Sequence, residues 1–439
     1  PLVGAPTLMH GHPLWVPQLT PMHRSSPHTP SFLLLLSLFC LLLPSAAAQD
    51  WGVFFKDEEL TEVVLPFEMK SHLILIPVRI NGGPPMKFIF DTGAENIVLL
   101  EKAFLPFLGM TVTREIKVLG ADMLKDLRAY LSPNVDLSIG PLEARRQNLV
   151  VLERNTLQLE RLLGEEVHGI LGASLFRMFV IHIDYRRRQL RLRRKASFKP
   201  PGGKYRELPI SVMRQRPFVE AAMVTPQGDT LRDLRFLIDT GAGLTALVSA
   251  HTHSDLEVPK TSILTSVGAG LGGQVSGFVS RVPRLEIGPF AFQDMVTSFQ
   301  DIPDSLQWPV SVSRNGLIGN ELLSRFDVWL DYVDERWYVR PVRKWQEAFR
   351  YDRSGLVLVA GGENLREMVI SHIVEGSPAA HAGLQRGDRL VSVNGVPARW
   401  RSMASVAKVL RKRIGKRIKL VVERNGQRLR TEFRLEKLI

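Results

Sequence analysis

The sequence predicts a mainly β protein made of two similar β-rich lobes of about 150 residues each, followed by a small α+β module. Three observations predict it. The segment KFIFDTGAENIVLL, holding Asp91, Thr92 and Gly93, recurs as RFLIDTGAGLTALV, holding Asp239, Thr240 and Gly241, at an offset of 148 residues. A second pair, GILGASLFRMFVIHIDYRRRQLRL from Gly169 and GLIGNELLSRFDVWLDYVDERWYV from Gly316, recurs at an offset of 147, so the later glycine follows its aspartate by 78 and 77 residues. Beyond residue 350 the composition changes and the repeat stops.

The chain of 439 residues is 45% apolar and 23% charged, with 34 Gly and 28 Pro, which excludes a disordered, collagen-like or coiled-coil protein. Residues 1–48 read as an N-terminal extension and signal peptide. Phe32 to Leu43 is apolar, Arg24 is its thin positive end, and Ala46, Ala47 and Ala48 supply small residues for cleavage. Twelve apolar residues are too few to span a bilayer. The single cysteine, Cys40, lies in that run, so the mature chain is expected to hold no disulfide and no thiol ligand. The expected location is a bacterial periplasm or envelope, or outside the cell.

Residues 49–200 form the first expected lobe and 201–345 the second. In each, a lead-in strand (Leu73 to Ile80; Phe218 to Val224) and a turn (NGGPP; PQGD) precede a short apolar strand that runs into Asp-Thr-Gly. Each copy ends in an alternating hairpin. Short helices are expected near Leu157 to Leu163 and Ser174 to Phe179, and a linker over Pro341 to Ser354.

A carboxylate at a turn behind an apolar strand is costly to bury alone. Two of them, one from each pseudo-symmetric lobe, can face each other and share a proton and a water. The ionised member then acts as base on the water while the protonated one donates to a carbonyl oxygen. Gly93 and Gly241 allow close approach and offer N–H groups, and Thr92 and Thr240 can bond across the lobes. Ile170-Leu171-Gly172 and Leu317-Ile318-Gly319 are expected to thread beside the two turns. Asp91 with Asp239 is the principal candidate site.

On these two DTGA motifs and two apolar-apolar-Gly motifs in fixed order, residues 65–342 resemble the retropepsin-like and pepsin-like aspartic proteases. The resemblance implies two β-barrel lobes in one chain, catalytic Asp91 and Asp239, a polypeptide substrate, and no metal or organic cofactor. It also implies glycine-containing flaps, here Gly120 and Ala121 in the first lobe and Gly268 and Gly270 in the second. Glu95-Asn96 and Gly243-Leu244 depart from the small polar residue expected there, and Ala94 and Ala242 replace a hydroxyl residue. The lost donor implies a raised dyad pKa and an activity optimum less acid than that of gastric-type enzymes.

The stretch REMVISHIVEGSPAAHAGLQRGDRLVSVNG, from Arg366 to Gly395, resembles the PDZ domains of bacterial envelope proteases, a resemblance that covers residues 351–439. It implies a groove that receives peptide or protein C-termini, built from Gly355, Leu356, Val357 and Leu358, where Val357 departs from the family's second glycine. The facing helix, Ser402 to Arg413, would offer Val406, Val409 and Leu410. Residues 351–439 hold 18 basic and 8 acidic residues, so Arg411 to Lys419 could meet an anionic envelope surface. A solvated basic face is the plainer alternative.

His251, His253 and Asp255 lack further clustered ligands and read as loop residues. Arg186 to Lys195 alternates like a strand with one solvent face and lacks interleaved aromatics, which argues against nucleic acid. The glycines at 268, 270 and 273 lack the strand-to-helix setting of a dinucleotide loop. The function expected is therefore an exported, monomeric aspartic endopeptidase with a PDZ domain. The alternatives are a non-catalytic peptide-binding scaffold, and lobes that pair between chains.

Overall fold

The computed structural model describes residues 52–119, 126–270, 273–301 and 314–439. Each lobe is a closed ring of six strands. In the first, Leu73–Ile80, Met86–Phe90, Gly169–Leu171, Ile97–Leu99, Leu142–Leu152 and Asp126–Ile139 pair in that order, and the last returns to the first. In the second, Arg216–Val224, Thr230–Ile238, Gly316–Ile318, Ala246–Ala250, Phe290–Asp301 and Gly273–Ile287 close in the same way. The repeat seen in the sequence is thus a repeat of barrel-like sheets.

The strand that enters each Asp-Thr-Gly turn is buried on both faces, which is why it is an unbroken apolar run. Phe88 and Phe90 point into the main core while Ile89 joins a second apolar cluster on the opposite face. Phe236 and Ile238 divide from Leu237 in the same manner. Gly172 and Gly319 sit where a Cβ would lie 2.3 Å from the carbonyl oxygen of Asn96 or Leu244, so no side chain fits beside either turn.

The two terminal hairpins join in one six-stranded sheet, a feature the repeat alone does not disclose. Phe179–Asp184 of the first lobe pairs antiparallel with Phe326–Asp331 of the second, and Glu62–Pro66 and Arg206–Pro209 form the outer edges. Leu190 and Leu192 are fully buried, whereas Arg191 and Arg193 pair with Glu62 across the sheet. The arginine-rich run is therefore one strand with a paired polar face. Lys195 fastens the two halves, its Nζ 2.5 Å from the fully buried Asp331 carboxylate and also bonded to Asp334.

Of the expected helices, Leu159–Leu163 forms, ended by Gly164 at φ +73. Ser174 to Phe179 does not: a 3-10 turn covers Ala173–Leu175, and Phe179 already starts a strand. Leu175, Phe176 and Phe179 are buried in the core, and Phe179 is already paired with Arg194 in the terminal hairpin, which leaves no length for a longer helix. The expected linker is packed down rather than extended. Phe349 is buried, Trp345 lies edge-on to Phe290 and Phe292, and the Arg325 guanidinium stands 3.7 Å over the Phe349 ring.

The C-terminal module has its own core and a sheet ordered Leu356–Gly361, Glu367–Ile373, Arg389–Val393, Arg417–Arg424, Gln427–Arg434. Ser377 caps the Pro378–His381 helix by accepting the Ala380 N–H, and Ala379 beneath it is fully buried. Met403–Leu410 forms the second helix, shorter than the expected Ser402 to Arg413, with Ser402 as its cap.

Removing Lys195 leaves the Asp331 charge buried at the joint between lobes. Lys195→Met is expected to cost about 2–4 kcal/mol in urea unfolding, and Lys195→Arg less than half as much. An unchanged midpoint for Lys195→Met would show that the joint does not depend on this charge.

Candidate active site

The two Asp-Thr-Gly turns meet at the centre of the molecule. A Cβ on Gly93 would lie 2.6 Å from the Asp239 carboxyl carbon, and one on Gly241 would lie 2.3 Å from that of Asp91. Each aspartate thus abuts the glycine of the other lobe, and the carboxyls come within hydrogen-bonding reach of each other. Asp91 Oδ1 accepts from the N–H groups of Gly93 (2.7 Å) and Ala94 (3.0 Å), and Asp239 Oδ1 accepts from Gly241 N–H (2.8 Å).

Beneath them the threonines form a reciprocal lattice. Thr92 N–H donates to Thr240 Oγ1 and Thr240 N–H to Thr92 Oγ1, both at 3.0 Å. Each hydroxyl then donates to the opposite lobe's strand, Thr92 to the Ile238 carbonyl (2.7 Å) and Thr240 to that of Phe90 (2.9 Å). Both threonines are buried, so no water competes. Outside this lattice, Asn320 donates to the Thr240 carbonyl and accepts from Tyr185 O–H at 2.7 Å.

Both carboxyls keep one solvent-facing side but are otherwise enclosed by protein. Burial raises the Asp91 pKa well above the usual carboxylate range, and the neighbouring Asp239 charge raises it further against the opposing N–H donors. Burial also raises Asp239, but less completely, because the Arg314 guanidinium and the bonds from Asp91 and Gly241 favour its ionised form. The pair is thus biased toward sharing one proton, an arrangement able to activate a water and polarise a carbonyl.

The expected flap residues Gly120 and Ala121 lie outside the described residues. Gly268 and Gly270 lie on Ile263–Gly270, which pairs with Gly273–Ile287 as a long hairpin, and Gly268 takes φ +154 at a shift of register. The expected PDZ groove needs correction. Val406 and Leu410 are 1% and 2% exposed and belong with Leu356 to the module's core, so they back the wall rather than face a ligand. Their helical spacing marks an apolar face without saying what covers it.

Val357 and Leu358 are half-buried on the edge strand Leu356–Gly361. Gly355, at φ +82, donates its N–H to Asp352 Oδ1 (2.7 Å), and Leu356 donates to Ser354 Oγ (3.1 Å). The loop expected to receive a terminal carboxylate therefore spends both N–H groups on its own side chains. The far end of the strand touches the first lobe: the Leu159–Leu163 helix packs against it, and Arg161 Nε donates to the Ala360 carbonyl at 3.5 Å.

Sequence reasoning missed Asn320, Tyr185, Arg216 and Arg314. Only Asn320 left a trace, standing after Gly319 where the first copy has Ala173 after Gly172. Arg216 Nη2 and Arg214 Nε each lie 3.3 Å from Glu95 Oε1, so Glu95 bridges the first lobe to the second. His251 pairs with Asp301 and His253 lies near Asp255.

The family model described as aspartyl protease matches the chain twice, over residues 76–175 and 222–322. The PDZ domain model matches residues 369–424. No curated protein matches the chain.

Thr240→Val keeps the shape but leaves the Thr92 N–H and Phe90 carbonyl buried without partners. We expect a loss of about 3 kcal/mol in chemical unfolding, with Thr240→Ser close to the parent; equal losses for both would exclude the hydroxyl as the cause. The raised Asp91 pKa has an opposite effect. Its protonated form favours folding, a contribution present in full below about pH 4 and lost as pH rises through the raised folded value. Asp91→Asn should therefore melt higher than the parent at pH 7 and gain little at pH 3; a gain of equal size at both pH values would contradict the shift.

Proposed function

Because the chain is a two-lobed aspartyl protease family protein with a C-terminal PDZ domain, we propose that it is an aspartic-type endopeptidase whose catalytic pair is Asp91 and Asp239. The observation that carries this reading is the meeting of two half-buried carboxyls, one per lobe, over a reciprocal threonine lattice. A binding scaffold gains nothing from holding two like charges together and must bear their desolvation.

In the resting pair Asp239 is the ionised base and Asp91 holds the proton. Asp239 takes a proton from the attacking water, and Asp91 donates to the peptide carbonyl oxygen. The tetrahedral gem-diol then collapses as a proton reaches the leaving nitrogen, giving a new carboxyl and a new amine with no covalent enzyme intermediate. Gly93 and Gly241 support the carboxyls through their N–H groups, and Thr92 and Thr240 hold their spacing. The hairpin bearing Gly268 and Gly270 would cover a bound chain, the part the family resemblance also gives to Gly120 and Ala121.

The PDZ domain is proposed to recognise polypeptide by strand addition along Leu356–Leu358, the part of the edge beyond the helix contact at Ala360. The engaged N–H groups of Gly355 and Leu356 favour an extended segment over a free carboxylate as its ligand.

The purified protein is expected to cleave unfolded polypeptide, with Asp91→Asn and Asp239→Asn each lowering kcat/KM at least about a hundredfold. Mixing the two variants should restore nothing, since both aspartates come from one chain. The pH profile should be bell-shaped, rising as Asp239 ionises and falling as the raised Asp91 loses its proton. A maximum below about pH 3, or full activity in either variant, would refute this assignment.

A further inference from the structure

Beneath the dyad the two lobes match in backbone but not in side chain. Ala173 N–H donates to the Ala94 carbonyl at 2.8 Å, and Asn320 N–H donates to the Ala242 carbonyl at 2.7 Å, so positions 173 and 320 are equivalent. Tyr185 and Tyr332 are matched as well, each one residue beyond a strand of the sheet that joins the lobes. Tyr185 O–H reaches across to the other lobe and donates to Asn320 Oδ1 at 2.7 Å. Tyr332, 6% exposed, has alanine at the position that matches Asn320, and among the described residues its buried hydroxyl has no hydrogen-bond partner.

Asn320 is wholly buried, and its neighbours fix which way its amide points. A carbonyl only accepts, so Nδ2 faces the Thr240 oxygen at 2.5 Å and Oδ1 is left for Tyr185. Burial pushes the Tyr185 phenol above its usual range, which keeps the hydroxyl a donor. The Thr240 carbonyl belongs to the peptide group whose other end is the Gly241 N–H, and that N–H donates to Asp239 Oδ1 at 2.8 Å. The group is planar, so holding its oxygen aims its N–H. A donor on the oxygen also polarises the amide and strengthens the N–H bond to the carboxylate. The Thr92–Gly93 peptide likewise presents its N–H to Asp91 Oδ1, at 2.7 Å, but Ala173 has no side-chain donor to offer its carbonyl.

We propose that Asn320, held by Tyr185, is a positioning residue for Asp239, supporting the ionised carboxylate through the Thr240–Gly241 peptide on one side of the dyad only. This deepens the endopeptidase reading and rests on it. The other charges acting on Asp239 are Asp91 of the opposite turn, Arg314, and Arg216, which is itself paired with Glu95. A substitution at position 320 leaves all of them in place. Being fully buried, Asn320 is out of reach of a substrate, so its effect falls on the dyad and not on binding.

The test makes the second lobe like the first. Asn320→Ala reproduces the combination of an alanine and an unbonded buried tyrosine that the chain already carries at Ala173 and Tyr332. In the full protein, with a fluorogenic peptide substrate, kcat should fall about tenfold with KM within about twofold of the parent. The acid limb of the pH profile should move up by about half a unit to one unit, because the ionised Asp239 has lost support. Tyr185→Phe keeps the amide without its anchor and should move the limb less, in the same direction. Melting supplies a readout that needs no turnover. The variant's folded Asp239 pKa lies above the parent's, so its deficit in stability grows as pH rises through the interval between them, and the drop in Tm should be larger at pH 7 than at pH 3. An acid limb that stays in place in Asn320→Ala, or equal drops in Tm at the two pH values, overturns the proposal. If Asn320→Ala does not fold, an unmoved limb in Tyr185→Phe overturns it equally. A parent that cleaves nothing counts against the endopeptidase reading by itself, since the difference in melting is measured without cleavage.

Discussion

Two carboxyls held against each other in a partly desolvated site set the terms for everything around them. Each must be supplied with donors, and the two must not drift apart, because the like charges would separate if the frame were soft. The chain answers with backbone N–H groups from Gly93, Ala94 and Gly241 above, and with four threonine hydrogen bonds below. None of these is a strong interaction alone. Their strength is that each threonine N–H and hydroxyl in the buried layer is used, so no small displacement is free.

The frame is symmetric and the site is not. The closed rings, the threonine lattice and the glycines at 172 and 319 repeat faithfully, since each answers the same steric demand in both lobes. The groups that tune charge do not repeat: Gly243 stands where the first lobe has Glu95, Asn320 answers Ala173, and Arg216 and Arg314 answer Leu73 and Val167. A dyad shared by two identical chains would have to treat its aspartates alike. Here a duplicated chain has let their surroundings diverge, with burial raising both pKa values and the Arg314 charge opposing that rise at Asp239.

What could be read in the sequence follows from the same distinction. The DTG turns and the apolar-apolar-Gly strands were legible because steric need repeats and repetition exposes it. The six-stranded joint was not, although both hairpins were, since alternation in Phe179–Asp184 and Phe326–Asp331 shows a two-faced strand without naming its neighbour. Arg216 was invisible for the opposite reason: it is a lone residue whose meaning appears only when strand register sets it beside the Asp239 turn. Val406 and Leu410 were misdirected because a periodic apolar face looks the same whether it lines a groove or fills a core.

The PDZ domain is joined to the two lobes by more than its connecting segment. Arg281 of the second lobe donates to the carbonyls of Phe349 and Ile439, fastening the packed connection and the chain's last residue to one strand. In the first lobe, the helix Leu159–Leu163 rests on the edge strand of the PDZ sheet, and six residues after it the chain enters Gly169–Leu171. The carbonyl of Leu171 accepts the Asp91 N–H at 3.0 Å. Between helix and strand, Glu165 is tied to Lys70 and Lys87, and His168 Nδ1 accepts from the Lys87 N–H. The path from the PDZ edge to the Asp91 turn is therefore short, running through the Leu159–Leu163 helix, Glu165 and His168 to the strand whose Leu171 carbonyl holds the Asp91 N–H.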